Sequence, residues 1–240
     1  MPRFFTNNIV GDRATIEADD ARHIAKSLRM RTGDSIVLCN GAGFDYRGEI
    51  SAIGSDIVEV HILETMPSPG EPKAKITLYQ ALPKSDKFEF IVQKAVELGV
   101  SEIVPTLSSR CISRPDEKSM AKKIQRLNRT SLEAAKQSGR GIIPVVSPLI
   151  EFNDAINSMK HALVPILCYE GASMPLREVL CPEAPQIALM IGSEGGFSED
   201  EVNTARTAGV HIVSLGARIL RCETAPICAL SAIMYALGEF

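Results

Sequence analysis

Apolar and polar positions follow two rhythms along this chain. Up to about Glu64 the apolar runs are short and broken by turn residues. In "DSIVLCNGAGFDYRGEISAIGSDIVEVHILE", Asn-Gly, Gly-Ser and Ser-Asp separate alternating segments. This pattern predicts short antiparallel strands and a small β domain. Just before it, "ADDARHIAKSLRM" predicts a helical turn or two, with Asp19 or Asp20 as the cap and Ile24 and Leu28 on one face. The stretch "TMPSPGEPKAK" holds three prolines and a glycine, so it reads as a linker. A boundary near residue 72 follows, dividing the chain into domains 1–72 and 73–240.

Beyond the linker the rhythm becomes strand, helix, strand. "KITLYQAL" predicts a strand, and "SDKFEFIVQKAVELGV" a helix with Phe88, Ile91, Val92, Ala95 and Val96 on one side and Gly99 as its stop. "SEIVPTL" is the next strand, followed by a long polar helix from about Asp116 to Ser138. Then come "IIPVVSPL", the helix "FNDAINSM", and the apolar strands "ALVPILCYE" and "QIALMI". A helix from Ser198, the strand "GVHIVSLG" and an apolar helix from about Ala225 to Leu237 complete the series. Such alternation predicts an α/β fold, a mostly parallel sheet with helices on both faces.

Two strand ends stand out. "IALMI" runs into Gly192, Gly195 and Gly196, and "SEDE" then forms a capping box, Ser198 with Glu201, that fixes the next helix start. Ligands of open parallel sheets bind at such carboxyl ends, yet an ordinary strand-to-helix turn reads equally well. The spacing fits neither a Rossmann loop nor a P-loop. Glu194, Glu199, Asp200 and Glu201 would repel a phosphate here, so a cationic or neutral ligand suits the charge better. The next strand ends at Leu215-Gly216, and "ARILRCETA" leads to Thr224 and Pro226, which open the last helix. This crossing is too apolar for a free loop. Ile219 and Leu220 are expected to be buried, with Arg221 and Glu223 held beside them against another piece of backbone.

Composition narrows the classes. The 240 residues are 45% hydrophobic and 23% charged, ordinary for a globular protein. No apolar run is long enough to span a membrane, and the N-terminus does not read as a secretory signal, so an intracellular, cytoplasmic protein is expected. Cys39, Cys111, Cys168, Cys181, Cys222 and Cys228 are scattered, as are the four histidines, and none has metal-site spacing. Net charge is −3, so no global basic field announces a nucleic acid partner. Local clusters do exist, Arg22, Lys26, Arg29 and Arg31 in one and a run from Arg110 to Arg140 in the other. Charge runs are usually solvated helix faces, and these stand as candidate phosphate contacts.

"IGSEGGFSEDEV" followed by "LGARILRCETAPICAL" closely resembles the paired signatures of SPOUT-class methyltransferases, and more narrowly those of the RsmE family, which methylates N3 of a uridine in 16S ribosomal RNA. "HIAKSLRMRTGD", "LPKSDKFEFIVQKAVELGVSEIVP" and "SLEAAKQSGRGIIP" match that family as well. The departures are Ser193 and Ala217, where the family commonly has proline, and Leu127, where it has an aromatic residue.

The resemblance implies a C-terminal domain with a trefoil knot, an exception to unknotted topology, and a PUA-like RNA-binding β-barrel at the N-terminus. It implies S-adenosyl-L-methionine as methyl donor and no metal. The implied cofactor set is Leu167, Ile191, Gly192, Glu194, Gly195, Gly196, Leu215, Gly216, Leu220, Thr224 and Ala225, with Glu194 bracing the knot through backbone amides. Close crossing of backbones would then account for the glycines. Arg221 would stabilise the uracilate or a phosphate beside it, unless it only braces the loop by pairing with Glu223 or Glu194. Glu223 or bulk water would take the N3 proton. RNA phosphates would meet Arg3, Arg22, Lys26, Arg29, Arg31, Lys84, Lys87 and Arg110. The implied partners are 16S rRNA or the small ribosomal subunit, and a second copy of the chain against the last helix. The alternatives are a knotted methyltransferase acting on another rRNA or tRNA nucleotide, and a non-catalytic RNA-binding factor.

Overall fold

The computed structural model describes residues 1–84, 86–180 and 186–240; Cys181 and Ser85, the latter at the head of a predicted helix, lie outside the described residues. Two units separate, Met1–Glu71 with Ala135–Ile143, and Pro72–Ala134 with Pro144–Phe240.

The first unit is built on a six-stranded sheet of β1 (Arg3–Phe5), β2 (Ile9–Val10), β3 (Arg13–Glu17), β4 (Ser35–Cys39), β5 (Phe44–Ile53) and β6 (Ile57–Pro67), in the order β1-β4-β5-β6-β3-β2. Only β1 pairs in parallel. Alternate residues such as Ile36 and Leu38, or Val58 and Val60, turn into one core. Helix α1 (Ala18–Arg22) starts after Glu17 with no side-chain cap, so neither Asp19 nor Asp20 plays the predicted part. A π turn, His23–Ser27, continues it. There the Leu28 amide reaches back five residues to the His23 carbonyl, and wider winding breaks the i, i+4 alignment. Ile24 is therefore buried while Leu28 is 41% exposed.

The segment 135–143 joins this unit, although the sequence pattern assigns it to the second domain. Its hold is the Glu71 carboxylate, which accepts from the amides of Gly141 (2.7 Å) and Ile142 (2.9 Å) and from the Arg140 guanidinium (2.8 and 3.0 Å). Such charge-assisted bonds between residues 70 apart are invisible to local pattern.

In the second unit the strands are β7 (Lys75–Ala81), β8 (Glu102–Leu107), β9 (Val145–Val146), β10 (Ile150–Glu151), β11 (Val164–Cys168), β12 (Gln186–Ile191) and β13 (His211–Val213). Their order is β10-β8-β7-β12-β11-β13 with β9 beside β8, and every pairing is parallel. The helices are α2 (Lys87–Glu97), α3 (Glu117–Ser138), whose last turn belongs to the first unit, α4 (Phe152–Met159), α5 (Glu199–Thr207) and α6 (Thr224–Ala236). Buried residues of α4 and α5 share one core cluster with Ala188 and Met190 of β12. Ile187, Leu189 and Ile191 alternate to the other face, and α2 packs against α6. Among the described residues no helix is long and apolar enough to cross a membrane.

Candidate active site

Strands β12, β11 and β13 lie side by side, and the segments leaving their carboxyl ends enclose a cavity of about 420 Å³. That volume lies in the range of small-ligand sites. After β11 the wall is Tyr169, Glu170, Ser173 and Pro175; after β12 it is Gly192, Ser193 and Gly196. The segment after β13 contributes Leu215, Gly216, Ala217, Leu220 and, further on, Cys222 and Ala225. Hydrogen bonds lace two of these segments together. The Tyr169 amide donates to the Val213 carbonyl at 2.9 Å, and the Ser214 amide donates to Met174 at 2.8 Å.

The glycines answer to close contacts. A Cβ on Gly195 would stand 2.9 Å from Arg110 Cβ and 3.1 Å from the Arg110 carbonyl oxygen, so the loop after β8 is pressed onto it. Arg110 also donates to the Gly195 carbonyl at 3.1 Å. Gly196 adopts φ +63°, a left-handed conformation that glycine takes at no steric cost. Behind them Ser198 caps α5 through the predicted box with Glu201. The Glu201 carboxylate also accepts from the Ser109 amide (2.7 Å) and hydroxyl (2.9 Å). One buried glutamate thus joins the loop after β8 to the helix that follows the glycines.

An ionic clasp ties the glycine loop to the last crossing. Lys87, at the start of α2, places its Nζ 3.0 Å from Glu194 and 3.2 Å from Glu223. Glu194 also accepts from the Lys84 amide at 3.2 and 3.3 Å. The hydrogen bond to Glu194, helped by Glu223, raises the Lys87 ammonium to about 12. Burial alone would raise Glu194, but Lys87 and two backbone amides outweigh it and hold the carboxyl below its usual range. Glu223 is held low first by the Cys222 thiol and then by Lys87. Burial, with Glu223 alongside, pushes that thiol up to about 12.

Of the residues assigned to the cofactor, Ile191, Gly192, Gly196, Leu215, Gly216, Leu220 and Ala225 line the cavity. Glu194 and Gly195 support it from behind, Thr224 opens α6, and Leu167 lies in the core while its neighbour Cys168 reaches the wall. Arg221 is exposed and, among the described residues, makes no ion pair; Lys87 takes the bracing partners that the sequence offered to Arg221. Ile219 is 86% exposed instead of buried, and Leu220 is half-buried, because the crossing lies at the cavity rim with no other segment of the described residues over it.

Several basic residues are neutralised by the chain itself. Arg3 pairs with Asp45 at 2.8 Å with little side-chain exposure, and Arg22 pairs with Asp56 and Asp19. Lys26, Arg29, Arg31 and Lys84 are exposed. The sequence reading missed Glu170, Ser173, Ser193 and Arg218. Their signal is position alone, since each follows a strand end that already carries an assigned residue.

The cavity fits a nucleoside with a charged tail. Its walls alternate apolar side chains with backbone, and Glu170 and Arg218 are its charged members. Ser193 Oγ is buried with no hydrogen-bond partner among the described residues, a polar atom that a ligand would satisfy. No group of three or more potential ligands for a metal ion occurs among the described residues.

A family model described as an RNA methyltransferase domain matches residues 70–234, and another, described as an RNA methyltransferase PUA domain, matches residues 16–63. The chain is similar to ribosomal RNA small subunit methyltransferase E of Bacillus subtilis, 32% identical over 229 residues that cover 92% of this chain and 89% of the relative. Its likeness to the protein of that name from Synechocystis is 30% identity over 94% of this chain and 74% of the relative. A crystal structure of the Neisseria gonorrhoeae protein of that name, bound to S-adenosyl methionine, superposes with a TM-score of 0.86 at 32% identity, covering 98% of this chain and 97% of that one.

Proposed function

The chain belongs to the family of ribosomal RNA small subunit methyltransferase E, and on that premise we propose that it methylates N3 of a uridine in 16S rRNA, in the cytoplasm, with S-adenosyl-L-methionine as donor. The observation that carries this reading is the cavity shared by three neighbouring strand ends, whose size, glycines and two charges of opposite sign, Glu170 and Arg218, suit that nucleoside.

The donor supplies an electrophilic methyl group; the chain supplies grip, alignment and electrostatics. Backbone around Leu215, Gly216, Leu220 and Ala225 would hold the adenine. Alignment of this kind is worth on the order of 7–11 kcal/mol in favourable intramolecular reactions. Arg221, exposed and without an ion pair among the described residues, would meet negative charge developing on the uracil oxygens, or a phosphate beside it. Glu223 borders the same region, with water as the competing proton acceptor. Lys26, Arg29 and Arg31 would position RNA through phosphates. The loops after β11, β12 and β13 would form the trefoil knot, a reading supported by the cavity they share and by the bonds from Tyr169 to Val213 and from Ser214 to Met174.

A homodimer belongs to the same proposal. Helix α6 buries Pro226, Ala229, Leu230, Ile233 and Met234, yet Cys228, Ala232 and Tyr235 form an exposed stripe at i, i+4, i+7. Ile219 adds to this uncovered apolar surface, which a second copy would bury.

The deciding experiment is methyl transfer from labelled donor to 16S rRNA and to small subunits lacking the modification, followed by mapping of the modified nucleoside. Label at a uridine N3 is the expected result. Label at another base or on a ribose, or none with either substrate, overturns the reading.

A further inference from the structure

Helix α3 carries a basic surface that the cavity does not use. From Arg110 to Arg129 the chain has seven basic residues and two acidic ones, Asp116 and Glu117, although its net charge is −3. The helix buries Met120, Leu127 and Ser131, all 3% exposed or less. At 3.6 residues per turn Lys118, Lys122 and Arg129 fall within about 40° of one another on the opposite side, spread over roughly 16 Å. All three are exposed, and among the described residues none makes an ion pair.

The neighbouring charges are already engaged. Arg126 pairs with Asp86 (3.4 Å) and Glu89 (3.0 Å), Lys123 lies over the Phe88 ring at 5.9 Å, and Asp116 accepts from the amide and hydroxyl of Ser119. A face that merely solvates a helix sets opposite charges four residues apart. Here Lys118 faces Lys122, and Lys122 faces Arg126, so the stripe repels itself. Glu133 follows Arg129 by one turn, in the weaker orientation for such a pair. A polyanion would relieve this repulsion. The run also begins at Arg110, which touches Gly195 of the cofactor loop, so its first residue stands at the active site.

We propose that the Lys118–Lys122–Arg129 face of α3 docks the phosphodiester backbone of the substrate RNA, a contact separate from the basic residues of the N-terminal unit. The inference rests on the RNA-methylating reading above. Phosphate contacts fix position without reading sequence, so their loss weakens binding and leaves the choice of nucleotide unchanged.

The test uses the full chain with K118Q, K122Q and R129Q combined, glutamine being a good helix former. Anisotropy would give the Kd for a 16S rRNA fragment across a salt series, and calorimetry the affinity for S-adenosyl-L-methionine. The slope of log Kd against log salt should fall by about 2–3, and Kd near 0.1 M salt should rise roughly tenfold to a hundredfold. Cofactor affinity should stay within about twofold, and the charge-conserving variant K118R/K122R/R129K should keep the wild-type slope. An unchanged slope in the glutamine variant overturns the proposal. So does unchanged binding to naked RNA with weakened binding to assembled subunits, which would assign the face to a ribosomal protein. Wild-type protein that binds RNA with the steep slope but methylates no uridine would sink the functional reading and leave this surface standing.

Discussion

Replacing Glu201 with alanine tests how the glycine loop is held. Glu201 is 9% exposed and its carboxylate accepts three hydrogen bonds, from Ser198 N (2.9 Å), Ser109 N (2.7 Å) and Ser109 Oγ (2.9 Å). Alanine strands two backbone donors and a hydroxyl at once. A hydrogen bond to a charged partner contributes about 1.5–3 kcal/mol, and a stranded buried donor costs about 1–3. Water entering the vacated space offsets part of this, so about 1 kcal/mol per bond, about 3 in all, is the working figure. For a chain of this size each kcal/mol moves the melting temperature by about 2–4 °C, so Glu201→Ala should melt about 6–12 °C lower by calorimetry. Glu201→Gln keeps the shape and one acceptor oxygen and should fall between the two.

The loss has a functional echo. Ser109 precedes Arg110, whose backbone forms the wall against Gly195, so releasing it should weaken S-adenosyl-L-methionine several-fold. If Glu201→Ala melted within about 1–2 °C of wild type, a shift worth no more than about 1 kcal/mol, the reasoning from buried bonds would be refuted.

Three further outcomes follow from the same geometry. Gly195→Ala drives a Cβ to 2.9 Å from Arg110, so it should lose cofactor affinity about tenfold with the fold retained; equal affinity by calorimetry would mean that the loop shifts freely. Arg221→Ala should lower turnover roughly a hundredfold with cofactor Kd nearly unchanged, and the reverse pattern would make it a cofactor ligand. For pH, the contribution of Glu194 and Glu223 is present above the ordinary carboxyl value of 4.5 and is lost as pH falls through their lower folded values; that of Lys87 is present below 10.5 and is lost as pH rises through about 12. The clasp should therefore add no transition of its own between about pH 5 and about pH 10, where the cofactor's α-amino group (ordinarily about 7.7–8.0) titrates; a transition in cofactor affinity in that window that Lys87→Met abolishes would contradict the clasp.

Elements were the most legible part of the sequence. Most strands of the parallel sheet are short apolar runs, whereas β10, only Ile150–Glu151, left no such mark; the Ser198–Glu201 box marked the start of α5 because capping chemistry is local. Of the cavity, the parts at strand ends were legible, since a parallel sheet puts ligands there whatever its sequence. The rest depends on contacts between distant residues. Nothing near Glu71 announces that it gathers in residues 140–142, and nothing near Lys87 announces that two carboxylates more than a hundred residues away meet it. Ile219 misled for a related reason. An apolar residue in a crossing implies a cover, and a single sequence does not say whether its own chain provides one.

The clasp also bears on which group removes the proton. A general base needs a pKa close to that of the group it deprotonates, and environments that stabilise the anion weaken the base. Glu223 receives a hydrogen bond from the Cys222 thiol and an ion pair from Lys87, and both favour its ionised form. A carboxylate so held is available as an acceptor but has little drive to take a proton from an imide. The same interactions fix it to Glu194 through a single lysine, so that any shift of the last crossing is felt in the glycine loop. For the proposed reaction, these contacts favour Glu223 as a positioning residue and leave water to carry the proton away, with Arg221 still the proposed partner of the uracilate.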